Sequence, residues 1–250
     1  MKKKQKIQKI QIASLFLSII MLLSIILVTS KPSHVATPDF RAIENTQEKK
    51  KAFFDYLLPY IAQANNTILA LRHKIIILQE KDHISKKERR WLTHVSQEYG
   101  LNSSSSELNF APLLERVDII PPSLILAQAA NESAWGTSKF ARLANNYFGQ
   151  WCFTLHCGMV PSRRDSGKTH EVQKFTSPYD SIRAYLLNLN TNKHYALLRS
   201  IRSELRSQNK PLRGDVLATG LVSYSERGHD YIEDIQAMIS MNQLEKDDVG

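Results

Sequence analysis

Only two cysteines occur in 250 residues, Cys152 and Cys157, close together in the run WCFTLHCGM. So small a number excludes a disulfide-dense scaffold and any four-cysteine zinc module. The pair is not spaced C-x-x-C, which leaves dithiol redox chemistry without a motif, and a zinc site would have to recruit His156 or His170 in no standard ligand pattern. In an exported chain such a pair reads most simply as a disulfide closing a short loop. Glycine is scarce too, nine in all, and none of it forms a phosphate-cradling loop or a Gly-x-Ser-x-Gly elbow. No cofactor and no metal are expected. No internal repeat of fixed period is present either.

Acidic residues are absent from the first thirty positions, which hold five lysines, Lys2, Lys3, Lys4, Lys6 and Lys9. They account for five of the nine excess positive charges, so residues 31–250 carry only +4 and a nucleic-acid partner is not expected. Charge of either sign is missing from Ile10 to Ser30, and Ile12–Val28 (IASLFLSIIMLLSIILV) approaches the length that crosses a bilayer. Lysines ahead of it stay cytoplasmic and the remainder is exported. The run exceeds the usual signal-peptide core, which favours an uncleaved anchor, although VTS at 28–30 offers a peptidase small or branched residues. Four segments are expected: a basic tail with an anchor or signal helix over 1–30, a linker over 31–38, a helical part over 39–115 and a catalytic part over 116–250.

From Asp39 to about Tyr99 apolar residues recur at three and four positions, Ser85 and Glu88 form a capping-box pattern, and Pro59 is expected to start, kink or break a helix. A polar loop with a serine run follows (LNSSSSELNF, 101–110). Pro121 and Pro122 then restrict the backbone, Ser123 is the expected N-cap, and a helix is predicted over Ser123–Ser133, ended near Gly136. Its body, LILAQAA, is apolar nearly all round, as in a helix buried at a domain centre. SKFARLANNYFGQW predicts a second helix stopping near Asn145–Asn146, where Gly149 permits a tight turn. Residues 151–178 read as a small hairpin-rich lobe, and helices resume from Ser181. The fold class is α+β, mostly α.

Within QAANESAWGTS (128–138), Glu132 falls in the last turn of the buried helix, on the face of Ile125, Gln128 and Ala129. A carboxyl group there, beside a large indole, is poorly solvated, and that disfavours the anion. A raised pKa suits a general acid, which glycosidic cleavage requires to protonate the leaving oxygen. The plain alternative is a solvent-facing Glu132 bonded to a lysine such as Lys139.

The run NESAWGTSKFARLANNYFGQW resembles the signature of the glucosaminidase family of peptidoglycan hydrolases, a helix end E-S-x-W-G-x-S followed by an N-x-F-G turn. With DIIPPSLILAQAANESAWGTSKFA, WCFTLHCGMVP and YDSIRAYLLNLNTNKHYALLR, the likeness is to its Bax-type branch, spans about Pro38 to Leu244 and is densest at 116–235. The resemblance implies a lysozyme-like domain with a small β-hairpin lobe, a glycan groove between its lobes, and hydrolysis of the β-1,4 bond after N-acetylglucosamine. It makes Glu132 the general acid and Glu171, in HEVQKF, the match for the second acidic residue, with Asp165 and Asp180 as competitors. Attack by the substrate's own N-acetyl group would dispense with a close second carboxylate. Trp135, Tyr147, Phe148, Tyr179, Tyr195 and Tyr224 are the candidate sugar contacts, each equally open to core packing. Expected partners are peptidoglycan glycan strands and, through the N-terminal helix, inner-membrane lipid; the catalytic part would face the periplasm, or be secreted after cleavage. A lytic transglycosylase and an inactive glycan-binding module are the alternatives, and protein partners are not legible.

Overall fold

The computed structural model describes residues 37–101, 109–161, 164, 167 and 169–248. The expected anchor at 1–30, most of the linker, most of the serine loop and Asp165 lie outside those residues. Among the described residues no helix is long and apolar enough to cross a membrane.

A 3-10 turn at Phe40–Ala42 leads into α1 (Thr46–Gln79), whose N-terminus is capped by the Asn45 side chain accepting from the amides of Gln47 and Glu48. Helix α1 runs on through Pro59, so the proline neither starts nor breaks a helix there. Packing overrides the lost backbone bond there, since Leu57, Tyr60, Ile61 and Ala64 around the proline are all buried. Helix α2 (Lys86–Glu98) starts on the Ser85–Glu88 capping box as its sequence indicates. After α3 (Phe110–Arg116) comes α4 (Pro122–Ser133), buried from Pro122 to Ala130 and packed on α1 and on the C-terminal elements. Six Leu, Ile and Ala side chains with no exposed surface make this the centre of the core, each larger one contributing about 1.5–3 kcal/mol.

Ser123 is not the N-cap of α4. The helix begins one residue earlier, and Asp248 closes its end instead, accepting from the Ser123 amide at 2.9 Å and the Ser123 hydroxyl at 2.7 Å. Just ahead of α4 the chain is fixed by a buried arginine cluster that the sequence did not advertise. Arg202, without exposed surface, donates to the carbonyls of Asp118 and Ile119 at 3.1 Å and of Glu115 at 2.7 Å, while Arg206 forms a two-pronged pair with Asp118 at 3.0 Å. Burial alone would raise the Asp118 carboxyl, but the Arg206 bonds and the charges of Arg202 and Arg72 hold it below its ordinary value.

Helix α5 (Lys139–Ala144) ends on left-handed Asn145, as predicted from the Asn-Asn pair. Buried Asn146 then ties the turn, accepting from the amides of Phe148 and Gln150 and donating to the carbonyls of Gln150 and Gln173. Gly149 has φ +66 with open space where a Cβ would stand, so the turn itself requires it. The β lobe is a three-stranded antiparallel sheet of β1 (Trp151–Cys152), β2 (Gly158–Met159) and β3 (Glu171–Gln173), in order β1-β3-β2, with Trp151 opposite Val172 and Cys152 opposite Glu171. Cys152 and Cys157 form the expected disulfide. Helices α6 (Pro178–Thr191), α7 (Ala196–Ser207), α8 (Gly214–Ala218) and α9 (His229–Met241) complete a mostly helical α+β fold.

Candidate active site

Helix α4 stops through three successive left-handed residues, Ala134, Trp135 and Gly136, at φ 50, 59 and 74. Two of them carry side chains, a conformation worth about 1–3 kcal/mol of strain each that the surroundings must offset. Ser133 supplies part of that hold: its hydroxyl donates to the Ala129 carbonyl at 2.6 Å and accepts from the Gly136 amide at 2.8 Å. Gly136 has a second reason to lack a side chain, because a Cβ there would lie 2.5 Å from the Phe40 ring. The turn swings Trp135 onto α1, edge-on to Phe53 and Phe54, with the Lys50 amine 4.9 Å from its ring centre. The Trp-Gly pair therefore ends the helix and leaves Glu132 half-buried on its last turn.

Glu132 is held by residues from distant parts of the chain. The Tyr231 hydroxyl of α9 donates to Glu132 Oε1 at 2.9 Å, and Asn131 Nδ2 donates to the same oxygen at 3.3 Å. Because that phenol gives its proton to the carboxylate, its oxygen accepts from Gln128 Nε2 at 3.0 Å; this fixes the amide so that Gln128 Oε1 accepts from Tyr185. Every donor in this buried series points toward Glu132. Among the described residues no hydrogen bond reaches Oε2. Burial pushes the Glu132 carboxyl above its ordinary value, and the bonds from Tyr231 and Asn131 offset only part of that rise.

The structure gathers some of the expected sugar contacts around this network and not others. Tyr224, half-buried, stacks on Tyr231 with ring centres 5.3 Å apart, and Tyr195 lies 5.9 Å from Tyr224. Burial, joined by the charge of Glu132, raises the Tyr195 phenol. Phe148 is 4 % exposed and stacks on Tyr185 at 4.0 Å, so it supports the network from behind. Tyr147 has no exposed surface and packs toward Phe53, so it is a core residue rather than a sugar contact. Trp135 faces α1, as described, and Tyr179 stands at the start of α6 under the Arg183 guanidinium at 5.8 Å.

Glu171 belongs to the β lobe and both of its oxygens are engaged: Oε1 accepts from the His156 amide at 3.1 Å and Oε2 from the Gly158 amide at 2.8 Å. Those two bonds hold its carboxyl below its ordinary value. The sulfurs of Cys152 and Cys157 lie close to it, but they are spent in the disulfide and offer no thiolate to a metal. Asp180 accepts from the hydroxyls of Thr176 and Ser177, both through Oδ2, and its amide donates to the Ser177 hydroxyl, so it serves the start of α6.

Sequence reading missed Tyr231 and Tyr185. The only local signal was Gln128, a polar side chain one turn before Glu132 in an otherwise apolar helix, which requires partners once it is buried.

A mostly helical α+β domain with a small β lobe thus carries a half-buried glutamate at the end of its central helix. The family model described as mannosyl-glycoprotein endo-beta-N-acetylglucosaminidase matches residues 109–244. Protein bax of Escherichia coli (strain K12) is 36% identical over 208 residues, covering 82% of this chain and 74% of its own. No solved structure matches. The chain belongs to the glucosaminidase family, in its Bax-type branch.

Proposed function

We propose that the protein hydrolyses the β-1,4 bond after N-acetylglucosamine in peptidoglycan, with Glu132 as general acid. The observation that carries this reading is the state of Glu132: half-buried, raised by burial and bound through Oε1, with Oε2 free of hydrogen bonds among the described residues and so able to hold the transferable proton. Glu132 gives that proton to the oxygen of the departing sugar as the glycosidic bond breaks. The second participant is the substrate. Since Glu171 has both oxygens occupied, the acetamido oxygen of N-acetylglucosamine attacks the anomeric carbon as the bond opens, forming a cyclic oxazolinium. Water then opens that ring at the anomeric carbon and returns a proton to Glu132. Two displacements at one carbon leave the β configuration retained.

The test follows the product anomer by proton NMR during digestion of peptide-free glycan strands. Initial release of the β anomer supports the substrate-assisted route; initial release of the α anomer would put an activated water, and a base, in its place. The N-terminal reading belongs to the same proposal: residues 10–30 anchor the enzyme with its catalytic part outside the cytoplasm, on the periplasmic side where a second membrane exists. Its support is the uncharged run behind five lysines. Deleting residues 1–30 should move the protein out of the membrane fraction, and unchanged fractionation would remove the anchor from the account.

A further inference from the structure

The β lobe presents rings to solvent that the reading above does not use. Trp151 is 57% exposed and Phe153 74% exposed, although β1 is only two residues long and most aromatics of this chain are inside. Trp151 is also held in one orientation: the His170 imidazole lies parallel to it, 4.3 Å between centres and 18° between planes. One face of the indole is thus covered by a flat polar ring and the other is open. Cys152 is tied into the disulfide beside it, and Phe153 follows just past the end of β1.

This surface is joined through the chain to the residues that support Glu132. Trp151 follows Phe148 by three residues, at most about 11 Å of chain. Phe148 stacks on Tyr185, which donates to Gln128, one helical turn before Glu132.

We propose that Trp151, backed by His170, is a stacking platform for a pyranose ring of the glycan, a subsite contributed by the β lobe. The proposal rests on the glycan reading and names a contact within it. A sugar presents an apolar face of C–H groups and a rim of hydroxyls; the open indole face meets the first, and the imidazole nitrogens at the edge of the pair meet the second. The backing ring removes the side-chain freedom that a lone exposed tryptophan would lose on binding. Trp151 is the contact residue, and His170 is a positioning residue that acts through it.

Binding, rather than turnover, tests the platform. The full chain carrying Glu132→Gln, in detergent, is titrated with a β-1,4-linked N-acetylglucosamine hexamer and with peptide-free glycan strands. Trp151→Ala should weaken binding about 3- to 10-fold, as expected for one lost aromatic stack. Trp151→Phe should recover most of it, His170→Ala should cost less than Trp151→Ala, and His170→Phe, which restores a flat backing ring, should return affinity toward the parent. Sugar-induced quenching should vanish in Trp151→Phe and persist in Trp91→Phe, which gives a reading of direct contact even if the alanine variant folds poorly. Unchanged affinity in Trp151→Ala, or quenching that survives Trp151→Phe, overturns the platform, as does a Glu132→Gln protein that binds neither glycan. Loss of binding in Trp151→Ala beside a wild type that cleaves nothing would keep the platform and sink the hydrolase; normal cleavage beside unaltered binding would do the reverse.

Discussion

The two lobes treat their carboxylates in opposite ways. In the helical lobe Glu132 sits at the end of a buried helix with one oxygen held by a phenol and an amide, and burial drives its pKa up. In the β lobe Glu171 is 4 % exposed, both oxygens accept backbone N–H groups of the disulfide loop, and its pKa is driven down. Burial without full compensation keeps a proton available, whereas burial with full compensation fixes an anion as a structural tie. By this contrast Glu132 is equipped for proton transfer and Glu171 for holding the 152–158 loop on β3. Under the proposed function, the two glutamates divide into chemistry and scaffold.

The contrast breaks most severely through the arginine cluster that seats the helical lobe. Asp118→Ala, which leaves Arg206 and Arg72 without the buried carboxylate they pair with, should cost about 3–5 kcal/mol in urea unfolding of the whole domain. The same pair predicts an acid limit. Asp118 is lowered in the fold, so its contribution is complete above the ordinary carboxylate value near 3.8 and is lost as pH falls through the lower folded value. Thermal melts should show the Asp118→Asn protein losing that acid-side slope.

Next in size is the phenol on the acid. Tyr231→Phe leaves Gln128 Nε2 buried without its acceptor, a loss of about 1–3 kcal/mol. It also removes a bond that lowers Glu132, so the Glu132 pKa rises further. A general acid works in its protonated form, and the alkaline limb of kcat/KM should move to higher pH. An unmoved limb would separate Tyr231 from the proton that matters.

The β lobe should give smaller and more local effects. Cys152→Ser with Cys157→Ser opens a short loop and should cost about 2 kcal/mol, read as faster amide exchange confined to 151–173. Smallest is Glu171→Gln: exchange at the His156 and Gly158 amides should quicken while hydrolysis stays within about tenfold of wild type, against the 10²- to 10⁴-fold loss typical of a missing general acid. A Glu171→Gln protein as inert as Glu132→Gln would restore the two-carboxylate reading.

Local chemistry carried much of this into the sequence. The ends of α4 and α5 follow from proline, asparagine and glycine positions, and the disulfide from two close cysteines, because each depends on neighbours within a few residues. What was illegible depends on partners far along the chain. Asp248 caps a helix 125 residues before it, Tyr231 meets Glu132 across 99, and Arg206 pairs with Asp118 across 88. Periodicity cannot report such pairings, nor could it show that buried neighbours would carry α1 through Pro59. Tyr147 and Glu171 illustrate the same limit: their motif positions suggested contact with sugar or water, and only the packed fold shows one inside the core and the other tied to backbone.

The central claim, that Glu132 drives hydrolysis after N-acetylglucosamine, is tested most directly by mass spectrometry of borohydride-reduced peptidoglycan digests, full-length wild type beside Glu132→Gln. Reduced N-acetylglucosamine termini with wild type and none with the variant are the expected result. Anhydro-muramyl ends, or reduced N-acetylglucosamine termini that persist in Glu132→Gln, would contradict it.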